Sequence, residues 1–204
     1  LLGLRRAAEA ALRADTLDAA HASATESLSL AIRLELPVQQ ALSLERLVHI
    51  ALNMDRASEG ASFLQQLHAL EDEAGDAIQR HVLFADAMMA WFVRDASLAK
   101  SVALRAELLQ VSPIPRAAQT LQTIRLSAAL LTNGTITAQC IEPLSTLHRR
   151  GRGFGGQDFA TDVLLSAMTR TGSASKARSL RRSYLSRWRR EGFAVSRALR
   201  DLSG

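Results

Sequence analysis

The residues with the most evident chemistry in this sequence are cations near its C-terminal end. The segment 175–190 contains seven basic residues and no acidic one, and on a helix four arginines share one face: Arg178, Arg181, Arg182 and Arg189. Such a face can bind a phosphate backbone by releasing counterions, or it can meet an acidic surface of another subunit. A basic helix that is only a solvated cap gives the same pattern. Tyr184 and Trp188 fall on the opposite side and are predicted to be buried.

A second unusual segment is the run of glycine and arginine at 149–156. Glycine-rich backbone ahead of a helix offers free N–H groups that can cradle a phosphate. The run is also similar to RGG-type RNA-binding stretches. It follows a predicted helix rather than a strand, and it lacks the lysine and serine or threonine of a Walker loop. We therefore favour a flexible linker between helices, with the anion-binding alternatives left open.

The other polar residues do not form the patterns that catalytic or metal sites require. No pair among the five histidines has the His-Glu-x-x-His spacing of a zinc helix, and the acidic run at 71–76 lacks the twelve-residue calcium loop. The single Cys140 excludes an internal disulfide and a cysteine-based zinc site. No nucleophile elbow or kinase motif is present. We predict that the protein is not an enzyme and uses no metal and no cofactor.

The composition indicates which elements must position these residues. The chain has 204 residues, of which 35 are alanine and 33 leucine, and aromatic residues make up only 4%. Alanine and leucine are strong helix formers, so we predict an all-α fold of one domain over residues 1–204. Residues 1–100 carry nine basic and fourteen acidic side chains, whereas residues 101–204 carry sixteen and six. This asymmetry hints at charged partners.

Helix-breaking residues divide the chain into eleven predicted helices. The breakers are Pro37, Gly75, Pro113 with Pro115, Asn133 with Gly134, the glycines of 151–156, Gly172 and Gly192. The predicted helices are 2–13, 17–34, 38–53, 57–73, 76–93, 96–111, 114–132, 136–149, 156–170, 174–190 and 193–202. Pro143 falls inside the eighth helix, where it should shorten or kink it.

Aligning these breaks reveals a repeat of about 39 residues. The spacings are 40, 39, 39 and 39 between Asp15, Asp55, Arg94, Asn133 and Gly172. Four residues before each break stand Ala11, Ala51, Ala90, Ala129 and, as an exception, Met168. Five residues after each break stand Ala20, Gly60, Ala99, Ala138 and Ala177. Small residues on both sides of a turn let two antiparallel helices approach closely. Because one helix pair cannot bury its apolar face alone, about five pairs are predicted to stack as a solenoid.

A helix, a tight turn and a small residue five positions later resemble the tetratricopeptide repeat. Thr171-Gly172-Ser173 with Ala177 is the best match, although the period exceeds the usual 34. The C-terminal third is also similar to the bacterial transcriptional activator domain. The residues that carry this similarity are Gly172, Ala177, Tyr184, Arg187, Glu191-Gly192, Ser196, Leu199 and Leu202, with Val195 in place of a usual proline. These resemblances imply a right-handed solenoid that binds peptides, partner proteins or regulatory ligands.

If the solenoid forms, polar residues on the first helix of each pair define a candidate groove. These are Gln39, Arg46, Gln79, Arg80, Arg116, Gln119, Gln122 and Arg125. Glutamine and arginine suit the amides and carboxylates of an extended peptide, although ordinary exposed helix surface explains them too.

The leading hypothesis is a cytoplasmic scaffold that binds a protein or peptide and belongs to a bacterial transcription regulator as its sensor or interaction domain. The alternative is a nucleic-acid-binding module that uses the basic C-terminal half. Nucleic acid could also be reached through an associated domain, and an oligomer is compatible with both hypotheses. We expect no membrane partner, because no apolar run approaches the roughly 18 residues that span a bilayer.

Overall fold

A computed structural model describes residues 3, 4, 7, 16–74, 76–108, 115–150 and 157–190. Within these ranges the elements are nine α-helices and no strand. They are α1 (Leu17–Arg33), α2 (Pro37–Asn53), α3 (Ala57–Ala74), α4 (Asp76–Val93), α5 (Ala96–Glu107), α6 (Pro115–Leu131), α7 (Ala138–Arg150), α8 (Gln157–Arg170) and α9 (Ala174–Arg190). The predicted all-α class is confirmed. Of the helix expected over 2–13, residues 3, 4 and 7 are described and are helical, and the rest of it lies outside the described residues, as does the helix expected over 193–202.

Most predicted helix ends agree with the structure to within one or two residues, including the start of α7 at Ala138 rather than at 136. The clear exception is α5, which ends at Glu107 rather than at 111. Pro143 lies inside α7, which continues through it to Arg150. A proline removes one intrahelical donor, so the first turns of α7 keep one fewer backbone hydrogen bond than an ordinary helix.

The predicted breaks are left-handed turns with a common hydrogen-bond pattern. Asp55, Arg94, Asn133 and Gly172 have φ of 59°, 59°, 55° and 76°. In each turn the N–H of the following residue donates to the carbonyl five positions earlier, at Ala51, Ala90, Ala129 and Met168, over 2.8–2.9 Å. This bond closes a Schellman motif and satisfies a carbonyl that the helix end would leave unpaired. The repeat of 39 residues therefore corresponds to a repeated helix ending. The first predicted break, Asp15, lies outside the described residues.

The small residues beside the turns are where helices approach closely in three of the repeats. A Cβ atom added to Gly60 would lie 3.7 Å from the Cβ of Ala51 on the neighbouring helix. Ala90 and Ala99 are buried in one cluster with Ala128. In the last described repeat Ala177 is buried, with 5% of its surface exposed.

The fourth repeat departs from this arrangement. Ala138 is exposed, because it is the first residue of α7 and does not follow the turn inside a helix. Ala129 is half-buried beside Gly134. The expected close contact at Ala138 is therefore wrong.

The order of packing is regular along the chain. Helices α2, α4, α6 and α8 form a row in which each helix packs against the next, and α3, α5 and α7 each pack against the two row helices that flank them in sequence. Helix α1 packs against α2, and α9 packs against α8. One buried apolar cluster extends from Ala20 in α1 to Ala177 in α9. The described helices therefore share a continuous core.

Candidate functional site

The connection between α6 and α7 is longer than the corresponding turns. In the other repeats the next helix begins two residues after the left-handed residue, whereas α7 begins five residues after Asn133. The intervening segment 134–137 reads Gly-Thr-Ile-Thr. Glycine and β-branched residues are weak helix formers, which explains why the helix starts late. Thr137 directly precedes α7, and its carbonyl accepts the Cys140 N–H at 3.0 Å.

Arg170, in the last turn of α8, holds this connection in place. Its guanidinium donates to the Leu130 carbonyl at 3.2 Å and to the Gly134 carbonyl at 3.2 Å. The last carbonyls of α6 have no intrahelical partner, and a cation there also opposes the helix dipole. Arg170 thereby fastens the end of α8 to both the end of α6 and the segment that follows it.

The late start of α7 leaves a cleft of about 1050 Å³ between α7 and α9. Its walls are one face of α7 and one face of α9, and its floor is the α6–α7 connection with the end of α8. The lining residues are Asn133, Gly134, Thr135, Ile136, Ala138, Ile141, Glu142, Ser145, Met168, Arg170, Thr171, Ser173, Lys176, Ser179, Leu180 and Ser183. The α9 residues among them follow the three- and four-residue spacing of a single helix face.

The cleft combines apolar surface with hydroxyl groups and few charges. Ile136, Ile141, Met168 and Leu180 supply the apolar part, and six serine and threonine hydroxyls surround it. A hydroxyl can both donate and accept a hydrogen bond, so this lining suits amide and carboxyl groups equally. The lining has three charged residues: Arg170 donates to carbonyls, Lys176 is exposed, and the exposed Glu142 on α7 accepts a hydrogen bond from Thr146. A cleft of this size and chemistry can take a short segment of protein with both apolar and acidic side chains.

Cys140 lies next to this cleft, at the third position of α7. The Thr137 hydroxyl lies 3.4 Å from its Sγ. This hydrogen bond, helped by the Thr137 backbone, lowers the pKa of the Cys140 thiol below its ordinary value of 9.0. The thiol is half-buried and is not part of the cleft lining.

The structure does not bring the predicted groove residues into this cleft. Arg46 is buried, and Arg125 is exposed on α6. The remaining described members, Gln39, Gln79, Arg80, Gln119 and Gln122, are half-buried. The side chain of Arg116 lies outside the described residues.

Gln122 shows that this polar face also has a structural use. Its amide donates to the Cys140 carbonyl and so links α6 to α7. This hydrogen bond uses an N–H of the Gln122 amide that would otherwise be available to a bound peptide.

The basic face of α9 is only partly described. Arg178 and Arg182 are exposed, and Arg181 is half-buried. The side chains of Arg189, Tyr184 and Trp188 lie outside the described residues, as does the glycine-rich segment 151–156. Lys176 connects this face to the cleft, because it stands on α9 and belongs to the cleft lining.

Three histidines pair with carboxylates on neighbouring helices. His21 lies 3.1 Å from Glu59, and His81 pairs with Glu45. The Nε2 atom of His68 lies 2.9 Å from the buried Asp86. Each pair joins two helices, which is the structural role that a histidine inside a helical protein commonly has.

Asp86 is the centre of a larger ionic network between α3, α4 and α5. The Arg105 guanidinium donates to Asp86 at 3.2 Å and makes two contacts with Glu71, at 3.0 and 3.1 Å. Burial raises the pKa of Asp86 above its ordinary value, while His68 and Arg105 oppose part of that rise. These groups saturate one another, so their arrangement supports packing of the three helices.

The described part of the chain contains no group of three or more His, Cys, Asp or Glu side chains that could hold a metal ion. None of its helices is long and apolar enough to cross a membrane.

No family model, no curated protein and no solved structure matches this chain. The resemblances to the tetratricopeptide repeat and to the bacterial transcriptional activator domain therefore remain predictions from the sequence.

Proposed function

We propose that this protein is a helical-repeat scaffold that binds a segment of a partner protein or peptide and has no catalytic activity. The observation that carries this proposal is the set of left-handed turns at Asp55, Arg94, Asn133 and Gly172, each 39 residues from the next. The same type of helix ending recurs every 39 residues, and this regularity supports a chain built from copies of one structural unit. Such units commonly present long surfaces to protein ligands.

The packing order supports a tetratricopeptide-like solenoid as the form of this scaffold, and its right-handedness is what the sequence resemblance implies. Helices α2, α4, α6 and α8 pack as a continuous row, and the remaining helices flank it. A stack of pairs requires this arrangement, since the first helix of each pair must meet both its partner and the next pair. The cleft between α7 and α9 offers a binding surface where the repeat is interrupted.

The absence of catalysis is proposed because the acid–base groups described are satisfied by one another. His68, Asp86 and Arg105 form ionic hydrogen bonds across three helices, which is the arrangement expected of packing contacts. We also propose that the protein works in the cytoplasm, as the sensor or interaction part of a transcription regulator. The full-length gene product tests this setting, because a helix-turn-helix appended to the repeats would support it.

A selection from a random peptide library tests the scaffold function directly. The purified protein is immobilised, and enriched peptides are synthesised and titrated by calorimetry. We expect recurring sequences that bind saturably and compete with one another. Enrichment no greater than that on an unrelated helical protein of similar charge would contradict the proposal.

Binding of nucleic acid is the second candidate, because Arg178 and Arg182 are exposed on α9. Titration of duplex DNA and of RNA at several salt concentrations distinguishes it. Affinity that falls steeply with salt, and is lost in Arg178→Glu with Arg182→Glu, would favour this candidate. Exposed charge reversals of this kind should change stability by less than about 0.5 kcal/mol.

A further inference from the structure

We propose that the cleft between α7 and α9 receives the α1–α2 turn of a second copy of this chain, so that the scaffolds associate head to tail. This inference rests on the protein-binding function proposed above, and it names the partner of the cleft. It joins two features that the isolated chain leaves unexplained, namely an apolar turn at one end and a lined cleft at the other.

The α1–α2 turn, residues 32–38, is the most exposed apolar segment described. Ile32, Leu34, Leu36 and Val38 are 54%, 53%, 39% and 41% exposed. Single exposed apolar side chains are ordinary on protein surfaces, but four within seven residues indicate a surface that is covered in an assembly. Glu35 stands at the centre of this group and is also exposed.

The turn is held in one conformation before any partner arrives. Glu35 has a φ of 50°, and the Leu36 N–H donates to the Ala31 carbonyl at 3.0 Å. The Gln40 amide lies 3.4 Å from the same carbonyl. A segment that is already ordered loses little conformational entropy on binding, which favours its use as a docking element.

The cleft has the complementary chemistry. Ile136 and Leu180 are half-buried and can cover exposed apolar side chains of the turn, whereas Ile141 and Met168 are buried beneath them. The exposed ammonium of Lys176 can meet the Glu35 carboxylate, and the remaining charges, Glu142 in the cleft and Arg33 in the turn, are also of opposite sign. The wider charges agree with this pairing. The first hundred residues carry a net charge of −5 from nine basic and fourteen acidic residues, whereas residues 101–204 carry +10 from sixteen and six.

The positions of the two features dictate the form of the association. The α1–α2 turn lies at one end of the row α2, α4, α6 and α8, and the cleft lies beside α8 at the other end. The two surfaces are different, so the contact is heterologous, and a pair of copies keeps one free cleft on one copy and one free turn on the other. Such a contact builds chains unless the rotation between copies closes a ring. The apolar area of this contact is small, so we expect weak association that depends on protein concentration. Because attraction between Glu35 and Lys176 contributes to the contact, the association should also weaken as salt is added.

Analytical ultracentrifugation at low salt tests the contact through charge reversal. Glu35→Lys and Lys176→Glu should each weaken self-association by at least about tenfold, because each places like charges together. Two matched reversals should leave it unchanged: Glu26→Lys, which is exposed on α1, and Lys100→Glu, which alters the only other lysine in the chain. Circular dichroism confirms that each variant is folded.

The complementary mixture provides the sharper result. Glu35→Lys presents lysine at both surfaces and Lys176→Glu presents glutamate at both, so the two variants should associate more tightly when mixed than either does alone. A chain with both substitutions should associate by itself. An uncharged test is Leu34→Ser, which removes apolar surface and should weaken association without altering charge.

A wild-type protein that stays monomeric at high concentration and low salt would overturn this inference. Association that the mixture fails to restore would overturn it as well. Neither outcome affects the scaffold function, which the peptide selection tests separately. If selected peptides bind to the cleft of a strictly monomeric protein, the proposed function stands and the second copy is not the partner.

Discussion

Replacing Gly60 with alanine should stabilise the fold, although Gly60 lies at a close approach of helices. Gly60 is the fourth residue of α3, and its N–H donates to the Arg56 carbonyl at 3.0 Å. Alanine at a helical position is favoured over glycine by about 1 kcal/mol. The new Cβ would lie 3.7 Å from Ala51 and from Leu52, which is ordinary van der Waals contact, and 3.3 Å from the terminal methyl of Met89.

The Met89 contact decides the size of the effect. It requires a shift of a few tenths of an ångström, and the end of a methionine side chain adapts easily. We therefore expect Gly60→Ala to raise the free energy of unfolding by about 0.5–1 kcal/mol. Gly60→Leu adds three more carbons to the same contact and should instead cost about 1–3 kcal/mol.

Gly172 provides the matched control, because there is space for a side chain there but the backbone conformation disfavours one. A Cβ added there meets nothing within 4 Å, but its φ is 76°. Left-handed backbone costs a residue with a side chain about 1–2 kcal/mol, so Gly172→Ala should be destabilising despite the open space. Urea unfolding followed by circular dichroism measures the change in unfolding free energy of both variants, provided that the m-value is the same as in the wild type.

Two results would refute this reasoning. A loss of more than about 1 kcal/mol in Gly60→Ala would mean that the helices beside Met89 cannot yield, so that the site is overpacked. An unchanged midpoint in Gly172→Ala would mean that the α8–α9 turn does not require left-handed backbone.

Three further predictions concern the core and two titrating groups. Ala90→Leu should cost about 1–3 kcal/mol, because Ala90 is fully buried, whereas Ala69→Leu at an exposed helical position should be nearly neutral in the same urea titration. Burial raises the pKa of Asp86 above 3.8, so the folded chain binds more protons than the unfolded chain between the two pKa values. The unfolding free energy of wild type relative to Asp86→Asn should therefore be greatest in acid and should decline as pH rises through the raised pKa; an increase over that window would contradict the assignment. The hydrogen bond from Thr137 lowers the pKa of Cys140 below 9.0, so alkylation by iodoacetamide should have a midpoint below that pH. The midpoint should rise in Thr137→Val, and an unchanged midpoint would show that the hydroxyl has no effect on the thiol.

The helices and most turns could be predicted from the sequence because their causes are local. Alanine and leucine favour helix wherever nothing interrupts them, and the breaks at Asp55, Arg94, Asn133 and Gly172 recur at a fixed interval. Glu35 shows the limit of this reasoning. It adopts the same left-handed conformation, but glutamate carries no preference for it and the sequence signal there was only the following Pro37.

The candidate site could not be predicted in the same way. The polar residues at 39–125 were expected to form a groove, yet the structure buries Arg46 and uses Gln122 to link two helices. The helix after Asn133 was predicted from 136, and the β-branched residues at 135–137 are the sequence signal for its later start at Ala138, although they do not indicate what faces the resulting space.

The sequence alone was enough for the helical class, the period of about 39 residues and the positions of most turns. These follow from propensities and backbone preferences that act over a few residues. The tertiary structure alone decided which side chains meet, such as Trp91 donating to Asp162 at 2.7 Å across 71 residues. It also decided that the late start of α7 opens a cleft beside α9, because a cavity is the space between elements and depends on how their faces pack.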